Sequence, residues 1–156
     1  MDAEDKRSAE AVLRHLFVGR YVCGVHFYGQ PVLVIDALDR QAAPLKDEVS
    51  LHIETRWRLY DAAPAVLPAC AEELEPLPLP ELCRVAGELR PQRICGATLG
   101  EAVPHLLLHF ADGRVLFVNG HHERYETWQV YAEDFLLVAF AVDKIAVGVP
   151  PSFAVA

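Results

Sequence analysis

Residues 49–60 have the sequence Val49-Ser50-Leu51-His52-Ile53-Glu54-Thr55-Arg56-Trp57-Arg58-Leu59-Tyr60. Apolar side chains alternate there with polar ones. The apolar set is Val49, Leu51, Ile53, Trp57 and Leu59, and the polar set is Ser50, His52, Glu54, Arg56 and Arg58. This period of two predicts one strand with a buried face and a face in water. Strands covered on one side are typical of antiparallel sheets, so the pattern favours an antiparallel fold over a doubly wound parallel one.

The chain before this strand predicts a helix followed by a hairpin. A helical stripe is formed by Val12, Leu13, Leu16 and Phe17, and acidic residues precede it, where they favour the helix macrodipole. This amphipathic helix should end near Gly19. Residues 21–28 and 32–37 are then β-rich runs separated by the turn-forming cluster Gly29-Gln30-Pro31.

Residues 61–91 have a different character, because they contain six of the eleven prolines. Proline at this density excludes a central strand. The segment therefore predicts a connection around one short helix, with Pro80 in its first turn and Leu82, Val85 and Leu89 on one side.

A second block of strands is predicted after Pro91, at residues 94–98, 105–110, 114–119, 126–131, 135–141 and 144–149. The dipeptide Asp112-Gly113 favours a two-residue type I′ turn, which places Phe110 opposite Val115. With that register, one face carries Leu106, Leu108, Phe110, Val115 and Phe117.

Short motifs of the first block recur in the second. Val22-Cys23-Gly24 is echoed by Ile94-Cys95-Gly96, and the segment from Glu54 to Tyr60 is echoed by residues 126–131 with one residue deleted. One β-unit present twice explains the echo, and chance matching of short motifs is the alternative.

These elements predict a single α+β domain over residues 1–156. It consists of a first β-unit with the N-terminal helix (1–60), the proline-rich connection (61–91), a second β-unit (92–149) and a tail (150–156). The two β-units are expected to form an antiparallel, strongly curved sheet or β-roll covered by the two helices. Trp57 and Trp128 should anchor the core.

The composition limits the classes of partner. Fourteen Lys and Arg against twenty-two Asp and Glu give a net charge of −8, which opposes binding to phosphate backbones, so no nucleic-acid partner is expected. The mixed-charge start at residues 1–7 lacks the features of a secretory signal, and no apolar run approaches the roughly 20 residues of a membrane span. We therefore expect a cytoplasmic location and no membrane contact. No two of the four cysteines form a CxxC motif, and all four are expected to be free thiols. Cys23 and Cys95 are expected to act as small hydrophobes.

No residue pattern predicts a catalytic apparatus, a cofactor or a bound metal. His105 and His109 are about 13 Å apart in an extended strand, too far to share one ion directly. The adjacent His121 and His122 point to opposite sides unless their loop is folded. A small metal-dependent enzyme that uses His105, His121 and His122 remains the alternative from another class.

Three segments are the candidate partner-binding sites. The first is the loop that contains His121, His122, Glu123, Arg124 and Tyr125, because exposed Tyr, His and Arg favour interface centres. The second is the acidic connection at Glu72, Glu73 and Glu75. The third is the polar strand face at His52 and Glu54, with Arg56 and Arg58. An ordinary polar loop whose Tyr125 covers a sheet edge is the alternative for the first segment.

Residues 106–117 combine an apolar strand with a Phe110-Ala111-Asp112-Gly113 hairpin, and Tyr125-Glu126-Thr127-Trp128 begins another strand. This pattern, over about residues 80–150, resembles small bacterial α+β domains with a Phe-x-Asp-Gly hairpin and a Tyr-Glu-x-Trp strand. Most of these domains are uncharacterised, and some accompany polymorphic toxins as immunity proteins. The resemblance implies an α+β fold and carries no catalytic residue onto this chain.

The function expected from these observations is that of an acidic, non-catalytic binding module. The resemblance suggests an immunity protein that neutralises a toxin by direct contact, and the negative charge suits a basic toxin. The assembly state is expected to be a monomer or a homodimer. A further alternative is a homo-oligomeric housekeeping or structural protein that associates through the apolar tail at residues 149–156.

Overall fold

The computed structural model describes residues 1–36 and 48–154. Helix α1 spans Ala3–Phe17, helix α2 spans Leu79–Glu88, and a short 3₁₀ turn spans Ala71–Glu73. The strands are β1 Tyr21–Tyr28, β2 Gln30–Asp36, β3 Val49–Ile53, β4 Trp57–Tyr60, β5 Ile94–Leu99, β6 Leu106–Phe110, β7 Val115–Val118, β8 Trp128–Ala132, β9 Phe135–Phe140 and β10 Lys144–Gly148.

Both predicted helices are confirmed. The Asp2 carboxylate caps α1 by accepting the backbone N–H groups of Glu4 (3.0 Å) and Asp5 (2.8 Å). Gly19 follows the helix with a φ of +87°, which glycine adopts without strain. Pro80 lies in the first turn of α2, where its missing N–H leaves no intrahelical bond unmade.

The predicted α+β fold with antiparallel strands is also confirmed. The strands described here form two antiparallel sheets, which do not close into a barrel. One sheet has six strands in the order β1-β2-β3-β8-β9-β10, and the other has four in the order β4-β7-β6-β5.

The prediction of one continuous strand over residues 49–60 is wrong. The chain leaves the six-stranded sheet after Ile53 and enters the four-stranded sheet at Trp57. Ile53 and Trp57 both reach the common core, so the alternation of apolar and polar residues continues through the crossing. We call residues 54–56 the β3–β4 crossover. The alternation of apolar and polar residues does not change there, so the sequence pattern gives no sign that the chain passes from one sheet to the other.

The two β-units have the same topology and exchange their fourth strands. In the first unit β1, β2 and β3 form a meander in the larger sheet, and β4 pairs with β7 in the smaller one. In the second unit β5, β6 and β7 form the meander in the smaller sheet, and β8 pairs with β3 in the larger one. The pairing is reciprocal, because Trp57 pairs with Val118 and Trp128 pairs with Ile53. Strands β9 and β10 extend the second unit alone.

The cysteine motifs occupy matching irregularities in β1 and β5. The strand register shifts between Val22 and Gly24 and again between Ile94 and Gly96. At each shift the thiol donates to a carbonyl of the neighbouring strand, with Sγ to oxygen distances of 3.3 Å in both cases. The expectation that Cys95 acts as a small hydrophobe is wrong, because this residue lies at a bulge and its side chain is exposed.

The hairpin prediction at Asp112-Gly113 is wrong by one residue. The loop has three residues, 111–113, and His109 rather than Phe110 pairs with Val115. Positive φ occurs at Gly113 but not at Asp112, whereas a type I′ turn needs it at both. This one-residue shift in register turns every side chain of β7 to the opposite face of the sheet, because side chains alternate between the faces of a strand. The residues of β6 and β7 that join the core are Leu106, Leu108, Phe110, Leu116 and Val118.

One core lies between the inner faces of the two sheets and the helices. Trp57 and Trp128 are both buried in it, as predicted. The outer face of the four-stranded sheet carries a second cluster that consists of Leu74, Leu107, Val115 and Phe117. Leu74 comes from the proline-rich connection, so this connection covers the outer face of the smaller sheet.

No helix in residues 1–36 or 48–154 is long and apolar enough to cross a membrane. The C-terminal tail returns to the body of the protein, where the Phe153 ring lies 5.2 Å from that of Phe135 and 5.1 Å from that of His15. Residues 155 and 156 of the predicted associating tail, and residue 37 of the predicted second strand, lie outside the described residues.

Candidate functional site

The connection between β7 and β8 departs from the matching topology of the two units. This β7–β8 loop spans residues 119–127, whereas the equivalent β3–β4 crossover spans only 54–56. The two connections touch, because the Glu54 N–H donates to the Thr127 carbonyl (2.9 Å) and the Asn119 N–H donates to the Arg56 carbonyl (3.2 Å). The extra length of the longer connection contains His121 to Tyr125.

Asn119 fixes the start of this loop. Its side chain is fully buried, and its Nδ2 donates to the His121 carbonyl (2.8 Å) and to Thr55 Oγ1 (3.0 Å). Its Oδ1 accepts the His121 N–H (3.2 Å). The main chain of His121 is therefore held on both sides by one buried amide.

Gly120 and His105 lock the next position. A Cβ atom on Gly120 would lie 2.1 Å from the Pro104 carbonyl oxygen, so only glycine fits there. The Gly120 N–H donates to Nδ1 of His105 (2.9 Å). Burial lowers the pKa of His105 from 6.5 to about 4, which outweighs the opposing charges of Asp143 and Glu73. His105 is therefore neutral at pH 7, with its proton on Nε2.

The His121 side chain pairs with a carboxylate from the β9–β10 turn. Nδ1 of His121 lies 2.7 Å from Oδ1 of Asp143. Val142 and Asp143 have φ values of 55° and 59°, a left-handed conformation that is strained for β-branched valine. The turn is held against the loop, because the Val142 N–H donates to the His122 carbonyl (3.0 Å).

The outer half of the loop presents its rings to solvent. Nδ1 of His122 accepts the N–H groups of Arg124 and Tyr125, both at 3.0 Å. The rings of His122 and Tyr125 lie 5.0 Å apart, and Tyr125 is 68% exposed. The alternative interpretation of this loop requires Tyr125 to cover a sheet edge, and the exposure of its ring argues against that.

The acidic connection is fastened beside the loop by Arg56. Its Nη1 donates to the carbonyls of Ala71 (3.2 Å) and Leu74 (3.0 Å). Glu72 and Glu73 are exposed, as predicted. A hydrogen bond from its own N–H, a second from the Cys70 thiol and the nearby charge of Arg56 lower the pKa of the Glu72 carboxyl. Glu72 therefore stays ionised in the pH range of cells.

These segments share two adjoining clefts. The first, of about 350 Å³, is lined by Cys70, Ala71, Glu72, His121, His122, Glu123 and Arg124. The second, of about 510 Å³, is lined by Glu54, Thr55, His122, Arg124, Tyr125, Glu126, Thr127 and Gln129. Because His122 and Arg124 line both, the clefts form one continuous surface. We call it the composite surface and define it by Glu54, Glu72, residues 121–126 and Gln129.

The remaining candidates lie beside or outside this surface. His52 borders it, since it pairs with Gln129 and its ring meets that of Tyr131 at 5.0 Å. Glu73 accepts the Ala69 N–H and lines neither cleft. Glu75 lines a separate small cleft with Thr55 and Arg56. The structure therefore brings His52, Glu54 and Glu72 to the loop and leaves Glu73 and Glu75 at the margin.

The three histidines of the metal-enzyme alternative differ in chemistry. His105 and His122 each accept a backbone N–H at Nδ1, so each neutral ring carries its proton on Nε2 and has no lone pair left for an ion. In residues 1–36 and 48–154, no group of three or more His, Cys, Asp or Glu residues converges as metal ligands would. Only His121, whose Nδ1 faces Asp143, has a free Nε2 lone pair among these three.

Sequence reasoning missed the residues that position the loop. Asn119-Gly120 is a typical turn dipeptide and could have indicated a fixed loop start. No sequence pattern indicates the role of Asp143, because the pairing of β8, β9 and β10 is what brings it next to His121. Comparison of the chain with protein-family models, curated proteins and solved structures finds no match in any of the three.

Proposed function

We propose that this protein is an acidic binding module that recognises a basic protein through the composite surface and performs no catalysis. The observation that carries the proposal is the convergence of three sequence-distant segments, around residues 54–55, 70–72 and 121–126, on two adjoining clefts. An interface needs such a continuous area, and isolated polar loops do not supply it.

The asymmetry of the two units supports this assignment. Both units build the same scaffold, and the first unit makes the corresponding connection with residues 54–56 alone, whereas the β7–β8 loop uses residues 119–127. Recognition residues are commonly carried on loops held by a rigid framework. Here Asn119, Gly120 and Asp143 supply that rigidity, so little ordering entropy is lost when a partner binds.

The chemistry of the surface suits a cationic protein. Its carboxylates are Glu54, Glu72, Glu123 and Glu126, and its arginine is Arg124. Tyr125 offers a large exposed ring of the kind that dominates binding energy when it is buried in a partner's pocket. The net charge of −8 would accelerate the encounter with a basic protein through complementary potentials.

The proposed partner is a toxin, and the proposed role is that of its immunity protein in the cytoplasm. The resemblance of residues 80–150 to domains that include immunity proteins supports the role. A basic toxin such as a nuclease is the partner that the charge favours. Blocking such a toxin requires only that the module cover its working surface, without turnover.

The proposal predicts that a basic toxin domain is encoded next to this protein's gene, and the test uses that domain. Its affinity is measured by calorimetry for the wild type and for Tyr125→Ala and Tyr28→Ala. Tyr28 is a matched control, because it is 83% exposed on the β1–β2 turn and belongs to neither cleft. We expect Tyr125→Ala to weaken binding at least about thirtyfold, the effect of losing a hot spot of about 2 kcal/mol, and Tyr28→Ala to leave it unchanged. A metabolic enzyme gene in place of the toxin, or equal affinities for the two variants, would refute the proposal.

A further inference from the structure

His121 of the composite surface is held by contacts to both its main chain and its ring. Asn119 bonds both polar groups of its main chain, and Gly120 before it lies so close to Pro104 that a Cβ atom would meet the Pro104 carbonyl oxygen at 2.1 Å. Asp143 holds Nδ1 of its ring. The main chain of His121 is thus fixed by Asn119 and its ring by Asp143, so the orientation of this ring in a solvent-facing loop is itself a feature to explain.

The carboxylate partner decides which nitrogen carries the proton. An ionised carboxylate only accepts hydrogen bonds, so Nδ1 of neutral His121 carries the proton and Nε2 keeps its lone pair. His122, next to it, has the opposite arrangement, because its Nδ1 accepts two backbone N–H groups. Two adjacent rings in one cleft are thus set to different tautomers.

A free lone pair beside carboxylates suits a cationic N–H donor. The first cleft is lined by His121 together with two carboxylates, those of Glu72 and Glu123, and by one cation, Arg124. An arginine guanidinium has several N–H donors in a planar fork and no acceptor, so it can bond an imidazole nitrogen and a carboxylate at the same time.

We propose that His121 is a specificity-determining acceptor of the composite surface, with its tautomer set by Asp143, and that it receives an arginine side chain of the partner in the first cleft. This inference rests on the proposed function and names the partner group at the same site. Asp143 is a positioning residue, since it acts on the arginine only through the His121 ring.

The strain in the β9–β10 turn fits this role. Val142 and Asp143 both hold a left-handed conformation, which aspartate tolerates and which is unfavourable for valine. Strained backbone persists where surrounding contacts maintain it, and it is concentrated at functional sites. Here the strained residue is Val142, and it directly precedes Asp143, whose carboxylate lies at hydrogen-bond distance from the ring.

The first experiment needs no partner. Long-range ¹H–¹⁵N spectra at pH 8 report which ring nitrogen of each histidine is protonated. We expect an Nδ1–H tautomer for His121 and Nε2–H tautomers for His105 and His122. Asp143→Gly removes the carboxylate and tolerates the left-handed backbone, and it should release the His121 tautomer. Val142→Gly changes the same turn but keeps the carboxylate, and it should leave the spectrum of His121 unchanged. An Nε2–H tautomer for His121 in the wild type would overturn the inference.

The second experiment uses acetyl-arginine-amide as the probe and acetyl-citrulline-amide as its uncharged control. Shifts of the His121 ring signals should saturate with the arginine probe, and the citrulline probe should bind at least about tenfold more weakly, since it lacks one charge-assisted hydrogen bond. Asp143→Gly should weaken the arginine probe by a similar factor, and Val142→Gly should not. Equal binding of the two probes, no binding of either, or an unchanged Asp143→Gly variant would overturn the inference.

The two proposals can fail separately. If the neighbouring toxin binds in a Tyr125-dependent way and the arginine probe leaves His121 undisturbed, the proposed function stands and the role of His121 falls. If the arginine probe binds as expected and no basic protein binds the surface, the role of His121 as an acceptor stands and the proposed function falls.

Discussion

His105 makes the stability of this protein depend on pH. The side chain is only 5% exposed, and its Nδ1 accepts the Gly120 N–H at the base of the β7–β8 loop. Burial lowers its pKa from 6.5 to about 4, because the charged imidazolium loses its hydration inside the protein. Unfolding restores the ordinary pKa, so the unfolded chain binds a proton that the folded chain does not.

The sign and size of the effect follow from this difference. Between pH 6.5 and about 4 the unfolded state holds more protons at this site than the folded state, so stability is fully present above pH 6.5 and falls as the pH falls. A shift of one pKa unit corresponds to about 1.4 kcal/mol, so the whole window contributes about 3 kcal/mol to the free energy of unfolding.

The assay compares the wild type with His105→Gln by urea denaturation from pH 7.5 to pH 4.5. Glutamine does not titrate, and its side-chain oxygen can still accept the Gly120 N–H. Exposed carboxyls titrate alike in both proteins, so their contribution cancels in the difference between the two unfolding free energies. We expect that difference to change by about 2.5 kcal/mol over this range, with the wild type losing more stability in acid. A difference that does not change with pH would refute the assignment of a neutral, buried imidazole.

Two further pairs of substitutions test the packing around the loop. Gly120→Ala should destabilise the protein by at least about 2 kcal/mol, since its Cβ would overlap the Pro104 carbonyl, whereas Gly113→Ala, in open space with a φ of 92°, should cost about 1 kcal/mol in chemical denaturation. Equal costs would contradict the close approach. Trp128→Phe should cost about 1 to 2 kcal/mol more than Trp57→Phe, because Trp128 Nε1 donates to Pro104 (2.8 Å) and Trp57 Nε1 has no acceptor among the described residues. A larger loss of stability for Trp57→Phe than for Trp128→Phe would contradict the role of the hydrogen bond from Trp128.

The elements of this fold are predictable because they depend on local patterns. The apolar stripe of α1 and the proline at the start of α2 each have a single structural interpretation. Alternating residues identified the strands for the same reason. The sheet to which a strand belongs is a different matter, because Ile53 and Trp57 face one core from two sheets and the alternation does not record the crossing.

The register of the strands and the geometry of the site are harder to predict from the sequence. Asp112-Gly113 is compatible with a two-residue turn and with a three-residue loop that uses only Gly113 at positive φ. The two loop lengths direct opposite faces of β7 toward the core. The composition of residues 121–125 indicated a recognition loop. Its joining to Glu72 through Arg56, and to Asp143 through strand pairing, depends on contacts distant in sequence, which a single sequence does not encode in any local pattern.

The central claim is that three separate segments act as one surface for a basic protein. Hydrogen–deuterium exchange of the protein, alone and bound to the basic toxin domain proposed as its partner, tests it most directly. We predict slower exchange in the complex at residues 52–55, 70–75 and 121–126 together, with the β1–β2 turn at Tyr28 and the β8–β9 turn at residues 133 and 134 unchanged. Protection confined to one of these three segments, or located on another face of the protein, would contradict the account.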